Sequence, residues 1–228
     1  MILESIGLTK IFRMKPAVLD FNVKIEKGRI YGLLGPNGSG KTTWMKMAAG
    51  LTKPTKGMLL FEGEPWNYKN KAKIAYMSTE PFFYEFMTVK DVGEYYNDFF
   101  EDFDLVKFKK LIKENHLDEE EKAKHLSSGM NAKLKIIATL SRKAELFLLD
   151  EPLNGIDIKA REEIVNMIIE SSSDENAIVI STHLLDEIES FMDEAIFVKE
   201  GKIIRQVKAE ETRMEEQVSM KDIYMQIM

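Results

Sequence analysis

The glycine-rich segment at residues 35–42 constrains the fold of this chain more than any other feature. It reads Gly-Pro-Asn-Gly-Ser-Gly-Lys-Thr, a pattern that wraps a backbone loop around the phosphates of a nucleotide. Because Gly38 and Gly40 lack a Cβ, successive N–H groups can turn toward one anion and a phosphate can approach closely. Lys41 adds a positive charge that reaches the β- and γ-phosphates, and the Thr42 hydroxyl is suited to ligate Mg²⁺. The segment therefore predicts a site for a nucleoside triphosphate.

The flanks of this loop have the order that such a site requires. Residues 29–34 form a short apolar run typical of a buried strand, and residues 42–49 read as a helix that Gly50 closes. The positive end of that helix would face the anion. Strand, loop and helix together support the phosphate-loop interpretation.

Apolar segments alternate with turns and helical stretches over most of the chain. Continuous apolar strands joined by helices imply an α/β fold with a mostly parallel sheet covered on both faces. Residues 79–130, rich in aromatic and acidic side chains, read as a helical insert, and Glu200-Gly201 predicts a hairpin turn. The predicted strands are residues 2–8, 18–25, 30–34, 58–61, 74–78, 146–149, 177–181, 196–199 and 203–204, and further helices are predicted at 158–171 and 219–227.

Composition excludes several functional classes. The 228 residues contain no cysteine, which excludes disulfides, thiolate nucleophiles and cysteine-bound metals, and the three histidines are dispersed. Any metal is then a hard cation held by oxygen ligands. The net charge of −6 argues against a large nucleic-acid footprint, and no apolar run approaches the roughly 18 residues that span a bilayer. We expect no nucleic-acid partner, and a chain that is neither secreted nor embedded in a membrane.

A buried strand that ends in two carboxylates is the second chemical signal. Residues 146–149 are followed directly by Asp150 and Glu151, and adjacent carboxylates at a strand end are expected at a catalytic site. With a phosphate loop upstream, Asp150 is predicted to lie near the metal. Glu151 is predicted to lie beside the γ-phosphate, where it orients or deprotonates the attacking water.

Three further segments stand in a fixed order around these carboxylates. Ser127 and Gly129 belong to Leu-Ser-Ser-Gly-Met, which offers a hydroxyl and exposed N–H groups at a helix start. Alone, such a segment is more often only a helix cap. Asp157 ends the segment Leu-Asn-Gly-Ile-Asp, and His183 follows a predicted strand, where a lone histidine is more often structural. The order supports a site more strongly than any one segment.

In this order the segments resemble those of ATP-binding cassette (ABC) ATPases, in the style of Gram-positive exporter subunits. Leu-Ser-Ser-Gly-Met is similar to the family's Leu-Ser-Gly-Gly-Gln signature, Asp157 lies in the counterpart of its D-loop, and His183 matches its switch histidine. Phe12 matches the aromatic residue that stacks on adenine, with Val18 as a second apolar contact. A core position for Phe12 is the alternative. The resemblance extends over residues 2–204.

The resemblance implies a fold and an assembly. The fold is a RecA-like P-loop NTPase core with a mostly parallel sheet, an N-terminal antiparallel β subdomain and a helical insert. Within one ABC ATPase domain, residues 1–78 and 131–204 would form the nucleotide-binding core, 79–130 the helical subdomain and 205–228 a short C-terminal tail. The active unit would be a head-to-tail homodimer or heterodimer with a second ABC ATPase subunit, in which the signature of one subunit closes over nucleotide held by the other.

The expected cofactors are ATP and Mg²⁺, and each candidate residue has one expected role. The candidate catalytic residues are Lys41, Glu151 and His183; the candidate metal ligands are Thr42, Asp150 and Thr79; and the candidate nucleotide-binding residues are Phe12, Val18, Gly35, Pro36, Asn37, Gly38, Ser39, Gly40, Lys41, Thr42, Thr43, Ser127, Gly129 and Asp157.

Residue 79 departs from the family's pattern. The family has a glutamine there, which touches Mg²⁺ and the attacking water and transmits the nucleotide state to a membrane partner. This chain has Thr79 followed by Glu80. A threonine hydroxyl is shorter and would reach the metal only through water, whereas Glu80 would reach it if the loop slips by one residue. Both assignments stay open.

Two groups of aromatic residues in the insert have different expected roles. Residues 80–89 contain four aromatic side chains, which form either the insert's own core or a groove for a cytoplasmic helix of a membrane subunit. Tyr96, Phe99, Phe100 and Phe103 fall at helical spacing, which predicts core positions for all four.

The leading hypothesis is the ATPase subunit of a membrane transporter, located at the cytoplasmic face of the cell membrane and paired with an integral membrane permease subunit. The alternative is a soluble ABC ATPase acting on nucleic acid, ribosomes or cofactor assembly. Such proteins usually carry a long coiled-coil insertion or two cassettes, and this sequence shows neither. The short tail and the motif style favour export of drugs, antimicrobials or amphipathic peptides.

Overall fold

The fold combines two β-sheets that differ in strand direction. The computed structural model describes residues 1–80, 83–209 and 220–227. The strands are β1 (Leu3–Phe12), β2 (Lys15–Ile25), β3 (Arg29–Leu34), β4 (Lys56–Phe61), β5 (Glu64–Pro65), β6 (Ile74–Met77), β7 (Leu146–Asp150), β8 (Ala177–Thr182), β9 (Glu194–Lys199) and β10 (Lys202–Lys208). The α-helices are α1 (Lys41–Ala48), α2 (Val89–Phe99), α3 (Leu105–Glu114), α4 (Ser128–Leu140), α5 (Ile158–Ser171) and α6 (Met220–Ile227), and short 3-10 helices span Tyr68–Lys73, Ala123–His125 and Leu185–Glu187.

The larger sheet has six strands in the order β10-β9-β3-β8-β7-β6. Strands β9, β3, β8, β7 and β6 run parallel, and β10 pairs antiparallel with β9 after the predicted hairpin turn. The register sets Leu34 opposite Thr182, and Asp150 opposite Ser181. The carboxyl ends of β3, β8, β7 and β6 therefore meet at one edge, which is where ligands bind in open parallel sheets.

The smaller sheet is antiparallel, in the order β2-β1-β4-β5. Helix α1 packs against it through Trp44, whose ring stacks on Phe21 at a centroid distance of 5.7 Å. The indole N–H of Trp44 donates to the Ser5 hydroxyl at 2.9 Å, so the polar atom of this buried ring is satisfied. The predicted fold class, with its N-terminal antiparallel subdomain, is confirmed.

The six-stranded sheet separates two hydrophobic cores. Because side chains alternate along a strand, Leu33 belongs to one core and its neighbour Leu34 to the other. The core on the Leu34 side includes residues of α2 to α6, while the core on the Leu33 side includes α1 and the smaller sheet. The sheet edge that carries the candidate site is therefore fixed from both faces.

The helical insert contains α2, α3 and the start of α4. Thr88 and Asp91 cap α2 reciprocally, with backbone-to-side-chain hydrogen bonds of 2.8 and 3.1 Å. Helix α4 begins at Ser128, so the boundary expected after residue 130 falls inside this helix. Strand β10 continues to Lys208, and residues 205–208 thus belong to the sheet instead of the expected tail. Residues 210–219 of that tail lie outside the described ranges.

The core prediction for Phe99 is wrong. Its side chain is 70% exposed, because it lies four residues after Tyr95 and shares the outer face of α2 with that ring, at 5.3 Å. Phe103 is buried, and Tyr96 and Phe100 are partly buried against the core, as the helical spacing predicted.

In the described ranges, no helix has the length and apolarity needed to cross a bilayer.

Candidate nucleotide site

The phosphate loop (residues 35–42) joins β3 to α1 and is shaped by two glycines. Gly40 has φ of +109°, and a Cβ there would lie 2.4 Å from the Ala17 carbonyl oxygen, so only glycine fits. Gly38 has φ of +80° and faces open space. The loop is thus held against β2 on one side and open on the other. Gly35 and Ser39 are buried, Gly40, Thr42 and Thr43 are half-buried, and Pro36, Asn37 and Gly38 are exposed.

The Lys41 ammonium lies inside the loop and links it to a carboxylate. Its Nζ donates to the carbonyl oxygens of Gly35 and Pro36 at 2.6 and 3.3 Å. It also lies 3.3 Å from Glu151 Oε1, and the residue is only 5% exposed. A desolvated cation is therefore fixed between the loop and the end of β7, where the sequence expected it to serve catalysis.

Three hydroxyl groups orient the buried Asp150 carboxylate. Thr42 Oγ1 and Ser181 Oγ donate to Oδ1 at 3.0 and 2.6 Å, and the Tyr76 phenol donates to Oδ2 at 3.2 Å. Burial, followed by the nearby Asp150 charge, raises the pKa of Tyr76 well above its ordinary value. Tyr76 therefore stays a neutral donor. Thr42 was predicted from the sequence as a site residue, whereas Tyr76 and Ser181 were not.

Glu151 joins Lys41 to His183. Its Oε2 lies 2.9 Å from His183 Nδ1, and because an ionised carboxylate can only accept, Nδ1 carries the hydrogen. The Glu151 N–H donates to the Ser181 carbonyl and hydroxyl oxygens at 3.1 and 3.0 Å. Glu151 has φ of +48°, a left-handed conformation that costs a non-glycine residue about 1 kcal/mol. Such strain clusters at functional sites.

The signature segment (residues 126–130) and the D-loop segment (residues 153–157) meet within one chain. Ser127 caps α4 by accepting the Met130 N–H at 3.2 Å. Asp157 caps α5 by accepting the Ala160 N–H at 3.0 Å, a bond that lowers the pKa of Asp157 below its ordinary value. A Cβ at Gly129 would lie 3.1 Å from Asp157 Oδ2.

The signature serine and the phosphate loop are not joined directly. In the part of the chain that the structure describes, no hydrogen bond or ion pair connects Ser127 to residues 35–42. Within the described residues, the signature serine is therefore not bonded to the phosphate loop of its own chain.

The two residues expected near adenine differ in exposure. Phe12 lies at the end of β1 and is 49% exposed, with the Lys10 ammonium 4.9 Å from the ring centroid. Its ring is available to a base, and the alternative core position does not apply. Val18 is fully buried, so the expected contact of its side chain with adenine is not supported. It packs in the core of the smaller sheet.

The switch loop (residues 78–80) follows β6 at the same sheet edge. Thr79 lines a cavity of about 390 Å³ together with Asp150 and Glu151. The Glu80 carboxylate instead pairs with Lys46 Nζ at 2.9 Å, and the hydrogen bond from Lys46 lowers the pKa of Glu80. The one-residue slip that would bring Glu80 to the metal position is therefore not seen. Lys135, which no sequence motif indicated, also lines this cavity.

The donor set fits a hard cation with a phosphate ligand. Thr42 Oγ1 and Asp150 Oδ1 are oxygen atoms 3.0 Å apart that could ligate a cation, and the buried Ser39 hydroxyl has no hydrogen-bond partner among the residues that the structure describes. The described residues contain no cluster of three or more His, Cys, Asp or Glu side chains that would hold an ion by themselves. Mg²⁺ suits such a site, because it keeps waters and binds one or two protein groups plus substrate phosphates.

Comparisons with known proteins identify the family. A sequence profile described as ABC transporter matches residues 18–154. The chain is 32% identical over 200 residues to a lantibiotic transport ATP-binding protein of Streptococcus pyogenes, which covers 87% of each chain. It is 33% identical over 225 residues to a bacitracin transport ATP-binding protein of Bacillus licheniformis, which covers 90% of this chain and 69% of the relative.

A solved structure shares the fold. It is a dimeric ATP-binding cassette in a post-hydrolysis state with ADP and phosphate, and it superposes with a TM-score of 0.80 at 21% identity over 91% of this chain and 98% of that one. The family predicted from the motifs is confirmed by the profile and the relatives. The chain belongs to the ABC transporter family and is an ATP-binding, ATP-hydrolysing subunit of that family.

Proposed function

We propose that the linked side chains Lys41, Glu151 and His183 form the catalytic centre for ATP hydrolysis. The observation that carries this proposal is their continuous contact at the sheet edge, 3.3 Å from Lys41 to Glu151 and 2.9 Å from Glu151 to His183. Residues 35–43 would hold the phosphates. Phe12 would stack on the adenine, with Val18 supporting the strand behind it.

Each side chain has a separate task in the proposed reaction. Lys41 neutralises the β- and γ-phosphates, and Glu151 accepts the proton of the attacking water. His183, through the Nδ1 hydrogen bond, keeps the Glu151 carboxylate aimed. Thr42 and Asp150 would hold Mg²⁺, and Thr79, which lines the same cavity as Asp150, would contact it through water. When bound, Mg²⁺ neutralises charge on the transferred phosphoryl group.

We propose that a second cassette subunit completes the site. Ser127 is exposed at a helix start that suits a γ-phosphate, and Gly129 is buried just behind it. Among the described residues, neither has a direct bond to the phosphate loop of its own chain. In a head-to-tail dimer, these residues and Asp157 would face the nucleotide held by the other subunit. Either a second copy or a different cassette subunit satisfies this arrangement.

We propose that the dimer powers export of antimicrobial or amphipathic peptides through an integral membrane permease, and that it lies peripherally at the cytoplasmic face of the membrane. Relatives named for lantibiotic and bacitracin transport support this assignment. The insert also exposes a surface for a partner. Tyr84 and Phe86 stack at 5.4 Å, and both are more than half exposed, which is unusual for large aromatic side chains.

The variant Glu151→Gln tests the catalytic assignment. The amide keeps the size of the side chain but cannot accept a proton, so turnover should fall by at least about 100-fold while ATP affinity changes little. Phosphate release and the binding of a fluorescent ATP analogue measure the two quantities. Turnover at the wild-type rate would remove Glu151 from its role.

The matched control is Glu145→Gln, at the opposite end of β7. Glu145 pairs with Lys27 and Lys73 outside the candidate site, so its loss should affect stability more than turnover.

Co-purification from native membranes tests the transporter assignment. Recovery of a polytopic permease is expected, and recovery of ribosomes or DNA in its place would contradict it.

A further inference from the structure

The half-buried side chain of Lys135 binds the backbone of the switch loop. Lys135 lies on α4, about two turns after Ser127. Its Nζ donates to the carbonyl oxygens of Glu80 and Thr79 at 2.9 and 3.3 Å, and the Ser78 oxygen lies at 3.5 Å. An ammonium has three N–H donors, so one side chain reaches three consecutive carbonyls.

The switch loop is held on two sides by lysines. The Glu80 side chain pairs with Lys46 of α1 at 2.9 Å, and the Glu80 carbonyl accepts from Lys135 of α4. Helix α1 belongs to the core around the phosphate loop, whereas α4 begins at the signature segment. The loop therefore lies between the element that carries one half of the nucleotide site and the element that carries the other.

Partial burial makes the Lys135 contact costly to lose. Desolvation lowers the pKa of Lys135 below its ordinary value, because part of the hydration of its ammonium is lost. A partly buried ammonium is stabilised when carbonyl oxygens replace the lost hydration. The three loop carbonyls supply that replacement, and they constrain the loop in return.

The same ammonium lies at the wall of the catalytic cavity. Lys135 lines the cavity of about 390 Å³ together with Thr79, Ser128, Asp150 and Glu151. A displacement of the switch loop would therefore change the wall of this cavity.

We propose that Lys135 is a positioning residue that fastens the switch loop to the signature helix, so that a movement of the loop on ATP binding turns α4 and the helical insert. This inference rests on the proposed composite nucleotide site. The contact also gives a physical route by which the nucleotide state can reach the helical insert. Such a route matters here because Thr79 is shorter than the glutamine that the family's pattern has at this position. The link runs through main-chain carbonyls and does not depend on the side chain of residue 79.

A purely structural role is the competing explanation, and Lys107 provides a matched control. Lys107 is also half-buried, its pKa is also lowered by burial, and its Nζ donates to the Leu140 carbonyl at 2.7 Å, away from the switch loop. Lys107→Met therefore removes a comparable ammonium from α3 of the helical insert. Lys135→Met removes the proposed link, and Lys135→Arg keeps N–H donors at that position.

The distance between core and insert is the quantity to measure. The chain has no cysteine, so spin labels can be placed uniquely at Lys24→Cys on β2 and Lys110→Cys on α3, both exposed. Labelled full-length chain, diluted with unlabelled chain in the Glu151→Gln background, is compared with and without Mg·ATP. The same samples give the affinity for a fluorescent ATP analogue and the melting temperature.

The expected result is an ATP-dependent change in the core-to-insert distance that Lys135→Met reduces by at least about half, with ATP affinity within about 3-fold of the parent. Lys135→Arg and Lys107→Met should both retain the change. An undiminished change in Lys135→Met, an equal loss in Lys107→Met, or a loss in Lys135→Arg would each overturn the proposal. A parent chain that binds ATP without any distance change would overturn it too. A parent chain that fails to bind ATP would overturn the proposed nucleotide site, and this inference with it.

Discussion

Asp150 shows how the site depends on residues that carry no catalytic charge. Its two oxygens accept from Thr42, Ser181 and Tyr76, and it is fully buried. Partners of this kind fix the orientation of a metal-binding carboxylate. The Asp150 carboxylate thus has a fixed orientation without any cation, which is the arrangement that the proposed Mg²⁺ site requires.

Tyr76→Phe tests this orientation, because it removes one hydroxyl and leaves the ring. Because Asp150 Oδ2 then loses its hydrogen-bond donor, the Mg²⁺ concentration that half-saturates ATP hydrolysis should rise about 10-fold. A titration of activity with Mg²⁺ measures it. Tyr68→Phe, at an exposed ring, is the control and should leave the titration unchanged. Superimposable curves for the two variants would show that Tyr76 does not position the ligand.

The sequence was informative about residues that lie in continuous motifs. Lys41, Thr42, Asp150 and Glu151 can be read from their neighbours along the chain, because each motif is a strand, a loop and a helix start. Tyr76, Ser181 and Lys135 could not be read in this way. Their partners lie 74, 31 and 55 residues away, and only the sheet order brings them together.

At the scale of elements, α2 and α3 pack so closely that residue 93 has no room for a side chain. A Cβ on Gly93 of α2 would lie 2.4 Å from Cε1 of Phe108 on α3, and Phe108 is buried. The sequence predicted a helical insert over residues 79–130 without defining these two helices. It did not predict their close approach, because a glycine inside a helix gives no indication of what faces it.

Gly93→Ala should destabilise the protein, although alanine favours a helix by about 1 kcal/mol over glycine. The overlap with the Phe108 ring should cost more, about 1–3 kcal/mol. Urea denaturation of the single variants and of Gly93→Ala combined with Phe108→Leu measures the coupling. The substitution should become neutral or favourable once the ring is gone. Destabilisation of equal size in both backgrounds would contradict this explanation.

The whole molecule is organised by one sheet with a core on each face. The motifs predicted its parallel strands, since continuous apolar runs indicate burial on both sides. They did not predict that Phe99 would lie outside, because a period of three or four residues fits two neighbouring faces of α2 equally well. Which aromatic rings of the insert are exposed could therefore be determined only from the structure.

The variant Phe86→Ser tests whether this exposed surface binds the permease. Removal of one of the two stacked rings should weaken co-purification of a membrane subunit by about 10-fold, since exposed aromatic anchors dominate such interfaces. Val106→Ser, at another exposed apolar residue of the insert, is the control and should have no effect. Equal recovery from both variants would exclude the Phe86 surface as the contact.

The left-handed backbone of Glu151 has a consequence for the history of such subunits. Glycine or asparagine would adopt this backbone conformation with less strain than glutamate. The glutamate is therefore expected to persist at this position only while selection maintains ATP hydrolysis. In a lineage where a paired subunit takes over ATP turnover, drift should therefore reach position 151 early. The residue found there in a related chain would then distinguish a subunit that still consumes ATP from one that has come only to bind it.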